Sequence, residues 1–306
     1  METVREDLEV EVPKIKLIRV RKAALEGVAD ALKEHYNKVW DFGYELLKNN
    51  PKNRVEIKTN RLTDESPNTF QRLYICYYVL KEGWKSNCRP VLGLDGCFLK
   101  TVCGGKLLIA VGRDGNNQMF HVAYAIVDSE NTSSWRWFLD LSRDDLDLGN
   151  GNGYTIISDQ QKGLENAMRE FLPEAEHRLC LLNQSVIAAT ATYPTTHVKA
   201  MKGLEKISKK AHAHLAKFDA KSWTKAYIST TPKTDNVDNN ILSHLIHGYL
   251  VRVLNMLQEI YFKLMRKVRL NQERMEASQH QICPVIRRKL DFEVRVSRDW
   301  QATWDG

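Results

Sequence analysis

The chain has 306 residues, 43% of them hydrophobic and only 8 of them proline, so most of it is expected to fold, as one large domain or as a core with helical additions. The net charge of +7 is of the sign expected of a protein that binds a phosphate backbone, although many unrelated basic proteins share it. The six cysteines include no close Cys-x-x-Cys pair, which argues against a disulfide scaffold or a zinc ribbon and for a reducing compartment. The N-terminus is acidic and polar, and no apolar run approaches about 20 residues, so neither a signal peptide nor a membrane span is expected.

The middle of the chain, residues 91–182, combines strand patterns with helix patterns in a definite order. Three apolar runs of strand length, separated by Gly-Gly and Asp-Gly-Asn-Asn turns, predict a three-strand meander at 91–94, 106–111 and 122–127. The patterns that follow predict a helix at 133–146, a strand at 154–158, a helix at 163–171 and a strand at 179–182. The order β-β-β-α-β-α-β predicts an α/β fold in which helices cover a mixed five-stranded sheet.

An aspartate follows two of the predicted strands, Asp95 after the first and Asp159 after the fourth. If those strands are parallel neighbours, the two carboxylates project from the same edge of the sheet and can share divalent ions. Hard oxygen ligands suit Mg²⁺ or Mn²⁺, and two such ions about 3.5–4 Å apart clamp the attacking and leaving oxygens of a phosphodiester. Either aspartate alone is better explained as a turn residue, but the pair favours a metal site. Lys162, at the start of the next helix, is either a phosphate contact or an exposed first-turn residue.

This strand order, with an acid at each of those two places, resembles the ribonuclease-H-like nucleases and transposases. Longer motifs narrow the resemblance: LDGCFLK at 94–100, Gly-Gly at 104–105, AVGRDGNNQMF at 110–120, the Trp135/Trp137 pair in SSWRWFL, and SDQQKGLENA at 158–167. They resemble the transposase domain of plant Mutator-like elements, the MULE or MuDR class, and a weaker similarity extends from Arg5 to Trp304. Cys97 lies where a proofreading-type exonuclease of this fold would need a second acid, which favours the transposase pattern.

The resemblance implies a ribonuclease-H-like core at 88–183 between a mostly helical N-terminal region, 1–87, and a helical, basic C-terminal region, 184–306. It implies a DDE-type DNA transposase in which Asp95 and Asp159 are catalytic and hold Mg²⁺ or Mn²⁺ while water and then a 3′-hydroxyl attack phosphorus. It further implies transposon-end DNA as the partner, a nuclear location, no membrane partner and no structural zinc in this chain. A homo-oligomer stays open.

Parts of the family pattern are missing, so the resemblance also implies a truncated and catalytically impaired copy. Asn183 replaces the histidine of the family's Cys-x-x-His pair after Cys180, and the basic stretch that usually follows is shortened. No acid follows Asn239-Asn240, where the family has a third acid, a glutamate. Asp238 and Glu259 are the substitutes considered, but Glu259 lies just off the apolar stripe of a helix, which is typical of a surface charge. A non-catalytic DNA-binding or regulatory protein and a degenerate product without function remain alternatives.

The flanking regions give further expectations. Apolar residues at a 3.6 period predict an amphipathic helix at 22–48, and residues 55–59 alternate like a strand. The aromatic stretch 68–84 is interpreted as a buried helix that supports the sheet, with base stacking as the alternative. Basic helices at 199–221 and 263–295 predict weak, sequence-independent DNA binding that falls steeply with salt.

Overall fold

The computed structural model describes residues 16, 19, 38–61, 69–99, 104–180, 186–227, 253–277 and 282–297. Its strands are β1 (Arg54–Asn60), β2 (Thr69–Cys76), β3 (Cys88–Phe98), β4 (Lys106–Asp114), β5 (Met119–Val127), β6 (Thr155–Ser158) and β7 (Glu176–Leu179). These strands form one mixed sheet in the order β1-β2-β5-β4-β3-β6-β7. The α/β class predicted from the sequence is confirmed.

The five strands β5-β4-β3-β6-β7 form the ribonuclease-H-like part of the sheet. The meander of β3, β4 and β5 is antiparallel, whereas β6 pairs parallel with β3 and β7 pairs parallel with β6. The β4–β5 turn forms because the carboxylate of Asp114 accepts the N–H groups of Asn116 and Gln118 at 2.9 and 2.7 Å, while Asn117 adopts a φ of 60°. The last strand begins three residues earlier than predicted. Its first three residues are polar, although Arg178 among them is buried, and the apolar run on which the prediction relied begins only at the last residue of the strand.

The sheet continues through two further strands, and here the prediction of a helix at 68–84 is wrong. Residues Thr69–Cys76 form β2, and a helix begins only at Tyr78. Side chains of β2 alternate between the two faces, with Tyr74 in one hydrophobic cluster and Leu73 in the other. A short apolar run fits both a buried helix and a buried strand. Whether it forms a strand depends on the presence of neighbouring strands, and β2 pairs with both β1 and β5. The strand expected at 55–59 is confirmed as β1.

Helices cover both faces of the sheet. In chain order they are α1 (38–49), α2 (Tyr78–Asn87), α3 (Thr132–Leu146), α4 (Lys162–Phe171), α5 (Val186–Thr190), α6 (Pro194–Ile207), α7 (Lys209–Leu215), α8 (Val253–Glu276) and α9 (Pro284–Ser297). Side chains of α3 and α4 pack on one face, and side chains of α1 and α8 pack on the other. The predicted helices of the core, and the helix predicted to carry Glu259, are thereby confirmed where the structure describes them. The prediction for 22–48 is confirmed at 38–48, and its earlier part lies outside the described residues.

A buried ion cluster joins the two added strands to α3. Asp145, which is 5% exposed, accepts hydrogen bonds from the Tyr74 hydroxyl at 2.9 Å and the Lys81 ammonium at 3.0 Å. The guanidinium of Arg54 lies 3.9 Å from the same carboxylate. Because a buried carboxylate is costly unless it is paired, these contacts fix β1, β2 and α2 against the core.

A second buried charge joins the helices after the core to the sheet. The guanidinium of Arg178, which is 2% exposed, donates to the carbonyl oxygens of Lys221 and Thr224 at 3.0 and 2.6 Å. It also lies 3.3 Å from the carboxylate of Glu176. The segment around 220–227 is therefore attached to β7, at one end of the sheet.

Candidate functional site

The two aspartates predicted to act together lie side by side at one edge of the sheet. Leu94 of β3 is paired with Ser158 of β6 in parallel register, and Asp95 and Asp159 are the next residues of these two chains. Asp95 does not follow the first strand as predicted but lies within β3, paired with Ile109 of β4, whereas Asp159 directly follows β6. Neighbouring strands are about 4.8 Å apart, so the two residues lie at the same height on adjacent chains. Leu94 and Ser158 are fully buried, which fixes the point at which each chain emerges.

Burial and neighbouring carboxylates raise the pKa of both aspartates. Asp95 is half-buried, and burial raises its pKa to about 7, with the charges of Asp159 and Glu130 adding to the rise and the N–H of Gly96, 2.8 Å from Asp95 Oδ1, opposing it. Asp159 is exposed, yet its partial desolvation still raises its pKa, and the charge of Glu130 adds to that rise. A cation placed between these groups would relieve the repulsion.

Glu130 is a third carboxylate at this edge, and the sequence analysis missed it. Its carboxylate lies 2.6 Å from the position that a Cβ on Gly96 would occupy, so a larger residue there would displace it from this position. The ammonium of Lys106 lies 2.8 Å from Glu130 Oε2 and 3.3 Å from the ring centre of Phe98. The signal was topological: in an antiparallel meander the end of the third strand returns to the edge where the first strand ends, and Glu130 follows β5 by three residues.

Gln161 connects this third carboxylate to the segment that carries Asp159. The side-chain oxygen of Gln161 accepts the N–H of Leu164 at 2.6 Å and so caps the start of α4. Its amide nitrogen donates to the backbone oxygen of Glu130 at 3.0 Å. The loop after β5 and the loop after β6 are therefore held together by one side chain.

Ser158 and His177 hold the backbone of Asp159 in place through hydrogen bonds. The hydroxyl of Ser158 donates to the backbone oxygen of Asp159 at 2.9 Å and lies 2.8 Å from Nε2 of His177. If that hydroxyl donates to the carbonyl, the His177 ring donates to the hydroxyl, which fixes the tautomer. Burial lowers the pKa of His177, and a neutral ring suits this role.

The remaining predicted residues occupy separate places. Lys162 is the exposed first residue of α4, three positions after Asp159. Glu259 is exposed on α8, as expected of a surface charge. Asn183, Asp238 and the segment after Asn240 lie outside the described residues.

The donor set fits a divalent cation in part. Asp95 and Asp159 provide two hard oxygen donors from adjacent strands, which is the ligand chemistry that Mg²⁺ and Mn²⁺ prefer. Across the described part of the chain, however, no three His, Cys, Asp or Glu side chains converge as a group that could hold a metal ion. Glu130 is close, but its carboxylate is engaged by Lys106.

A mixed sheet of this order, with an acid at the same height in each of two adjacent parallel chains, is a ribonuclease-H-like α/β fold. Residues 91–184 match the family model described as the MULE transposase domain. This segment is therefore similar to the transposase domain of Mutator-like elements, as the motifs predicted. No curated protein matches the chain. Of the helices that the structure describes, none is long and apolar enough to cross a membrane.

Proposed function

We propose that this chain is the central part of a Mutator-like DNA transposase in which Asp95 and Asp159 hold Mg²⁺ or Mn²⁺ at the edge of the sheet. The observation that carries the proposal is the parallel pairing of Leu94 with Ser158, which brings the next residue of each chain to the same height. The matched transposase domain spans both acids. DNA, with transposon ends as the ancestral substrate, is the partner that this domain implies, and a nuclear location goes with it.

Each residue of the site has a distinct part in this proposal. Asp95 and Asp159 bind the cation, and Ser158 with His177 keeps the Asp159 backbone in place. Lys162, exposed at the start of α4, contacts a phosphate of the DNA. A divalent ion bound here would neutralise the charge that develops on the phosphodiester oxygens while water and then a 3′-hydroxyl attack phosphorus.

Catalysis in this copy is proposed to be impaired. Two carboxylates leave a cation with fewer protein ligands than the family's three acids supply, and Glu130 is neutralised by Lys106 at 2.8 Å. Loss of one preorganised electrostatic group elsewhere costs on the order of 10²–10³ in rate. No acid follows Asn239-Asn240 in the sequence to replace the missing ligand.

A nuclease assay tests this proposal. The purified chain is incubated with Mn²⁺ and labelled duplex DNA, beside an Asp95→Ala variant as the inactive control. The expected result is cleavage no greater than that of the control. Cleavage well above it would mean that a substitute acid restores the site, and Glu130→Gln and Glu259→Gln variants would then identify which acid it is.

Salt-dependent duplex binding separates the remaining alternatives. A transposase-derived protein that retained only DNA binding would bind duplex DNA with an affinity that falls steeply with salt. A product without function would show no such binding at low salt.

A further inference from the structure

A basic groove lies between the start of β5 and helix α8, away from the acids. It has a volume of about 570 Å³ and is lined by Gln118 and Met119 on one side and by Lys263, Arg266, Lys267 and Arg274 on the other. We define these residues as the α8 groove. Its four cations are not accompanied by any lining carboxylate.

Four cations lie along one side of α8. Lys263, Arg266 and Lys267 lie close together, and Arg274 follows two turns later, beyond Leu270 and Asn271, so the cations extend over 11 residues, which is ~16 Å at 1.5 Å per residue. Arg266 and Arg274 are exposed, and neither forms an ion pair with another described residue. Glu273 of the same helix is instead paired with Arg269 at 2.8 Å, outside the groove. The groove side of α8 therefore presents two exposed arginines that no described carboxylate neutralises.

Lys267 fixes these cations relative to the sheet. Its ammonium donates to the backbone oxygen of Met119 at 2.7 Å, at the first residue of β5. Burial lowers the pKa of Lys267, the nearby charge of Arg113 lowers it further, and Asp114 opposes both. The hydrogen bond to Met119 compensates in part for the water that the Lys267 ammonium loses on burial. It also ties α8 to β5, so the cations of α8 have a defined position relative to the sheet.

The groove is far from the acids at the other end of the same strands. Asp95 is paired with Ile109, whereas Met119 is paired with Arg113, four residues further along β4. At about 3.4 Å per residue and about 4.8 Å per strand, this places the two sites ~14 Å apart along the strands and ~10 Å apart across them. A separation of ~17 Å is close to the length of five base pairs of duplex at about 3.4 Å each.

We propose that the α8 groove binds the phosphate backbone of duplex DNA and holds a segment about five or more base pairs away from Asp95 and Asp159. The identity of the partner rests on the proposed function, and the location of the contact rests on the groove. Duplex DNA carries one charge per ~1.7 Å of axis, so cations spread over ~16 Å lie opposite several phosphates. The proposed contacts are to phosphates, which carry no sequence information, so the contact does not depend on sequence.

The test compares two double variants of equal charge. Arg266→Gln/Arg274→Gln removes two cations of the groove, and the β1 variant, Lys52→Gln/Lys58→Gln, removes two exposed cations that lie outside the basic helices, one just before β1 and one within it. The binding of a labelled duplex of arbitrary sequence is measured by fluorescence anisotropy across a salt series, and thermal unfolding confirms that all the proteins are folded. Each lost phosphate contact lowers the slope of log affinity against log salt by about 0.9, so the groove variant should lose about 1.8. Raising salt from about 50 to about 200 mM should then weaken the groove variant ~10-fold less than the wild type.

The outcomes separate this inference from the proposed function. A reduced slope in the groove variant and an unchanged slope in the β1 variant support the groove. Equal losses in both variants would overturn it, since binding would then follow total charge. Tighter, groove-dependent binding of an RNA duplex or an acidic polypeptide than of DNA would also overturn it. If the wild type fails to bind DNA at low salt, the proposed function fails together with the inference, whereas an unaffected groove variant of a DNA-binding wild type removes the inference alone.

Discussion

The ammonium of Lys106 and the carboxylate of Glu130 form a largely shielded ion pair, 2.8 Å long, directly beside the predicted acid pair. The side chains of Lys106 and Glu130 are 14% and 10% exposed. The Glu130 carboxylate lies where a side chain on residue 96 would project, so Gly96 leaves room for this arrangement. Lys106 thus provides a positive charge that pairs with Glu130 and lowers the pKa of Asp159.

This ion pair should be energetically coupled. Lys106→Met leaves Glu130 without its partner, and a shielded charge that loses its partner costs about 3 kcal/mol of unfolding free energy. The double variant Lys106→Met/Glu130→Gln should lose less unfolding free energy than Lys106→Met and Glu130→Gln lose together. The difference, which is the coupling energy of the pair, should be about 1–2 kcal/mol. Urea denaturation of the four proteins measures this cycle. Additive losses, within about 0.3 kcal/mol, would contradict the coupling.

Asp95 should make the protein less stable as the pH rises. Its pKa in the folded protein is about 7, compared with 3.8 as the ordinary value, so unfolding releases a proton between these two pH values. Below both values the residue is protonated in both states and costs nothing, and the cost is complete above about pH 7. Each pKa unit is worth about 1.4 kcal/mol, which gives a ceiling of ~4 kcal/mol, and water at the sheet edge reduces the expected cost to about 1–2 kcal/mol.

Asp95→Asn removes this cost. The unfolding free energy of the variant relative to the wild type should therefore increase by about 1–2 kcal/mol between about pH 4 and about pH 8. Asp140→Asn, on the exposed side of α3, is the matched control and should show no such trend. Chemical denaturation without added metal, repeated across this pH range, measures the difference. A difference between Asp95→Asn and the wild type that does not change with pH would contradict the account.

Asp145 should be the most important single charge for attachment of the two added strands. Asp145→Ala leaves the Tyr74 hydroxyl and the Lys81 ammonium without their acceptor and should lower the unfolding free energy by about 3 kcal/mol. Tyr74→Phe removes only one neutral hydrogen bond and should cost about 1 kcal/mol. Asp144→Ala, the neighbouring exposed carboxylate, should cost less than about 0.5 kcal/mol. Equal effects of Asp144→Ala and Asp145→Ala in thermal unfolding would show that the buried cluster is unimportant.

The fold was predictable from the sequence wherever pattern and length agreed. The strands of the meander have uninterrupted apolar runs between turn residues, and the helix at Thr132–Leu146 has an asparagine cap and a buried tryptophan, Trp135. The stretch Thr69–Cys76 misled because consecutive buried residues carry no period that distinguishes a helix from a strand. Its strand conformation depends on its pairing with β1 and β5, and pairing between distant segments cannot be predicted from the local sequence pattern.

The candidate site was predictable to the same extent. Asp95 and Asp159 were found because each follows a predicted buried strand, and the parallel pairing of those strands was inferred from their order. Glu130 was missed because it precedes a helix cap, Asn131, and looks like part of a polar connection. Lys106 is the first residue of a predicted strand and was interpreted only as part of that strand. Glu130 and Lys106 come into contact because the meander folds back to the same edge of the sheet, which residue spacing alone does not reveal.

The most direct test of the central claim is whether Asp95 and Asp159 bind one cation together. Electron paramagnetic resonance reports free Mn²⁺ during titration of the wild type, Asp95→Asn, Asp159→Asn and the control Glu259→Gln, whose carboxylate is exposed on α8. We expect one weak site in the wild type and in the control, and a loss of about tenfold or more in affinity for each aspartate variant, since each removes one of two charged ligands. Unchanged Mn²⁺ affinity in both aspartate variants would contradict the account.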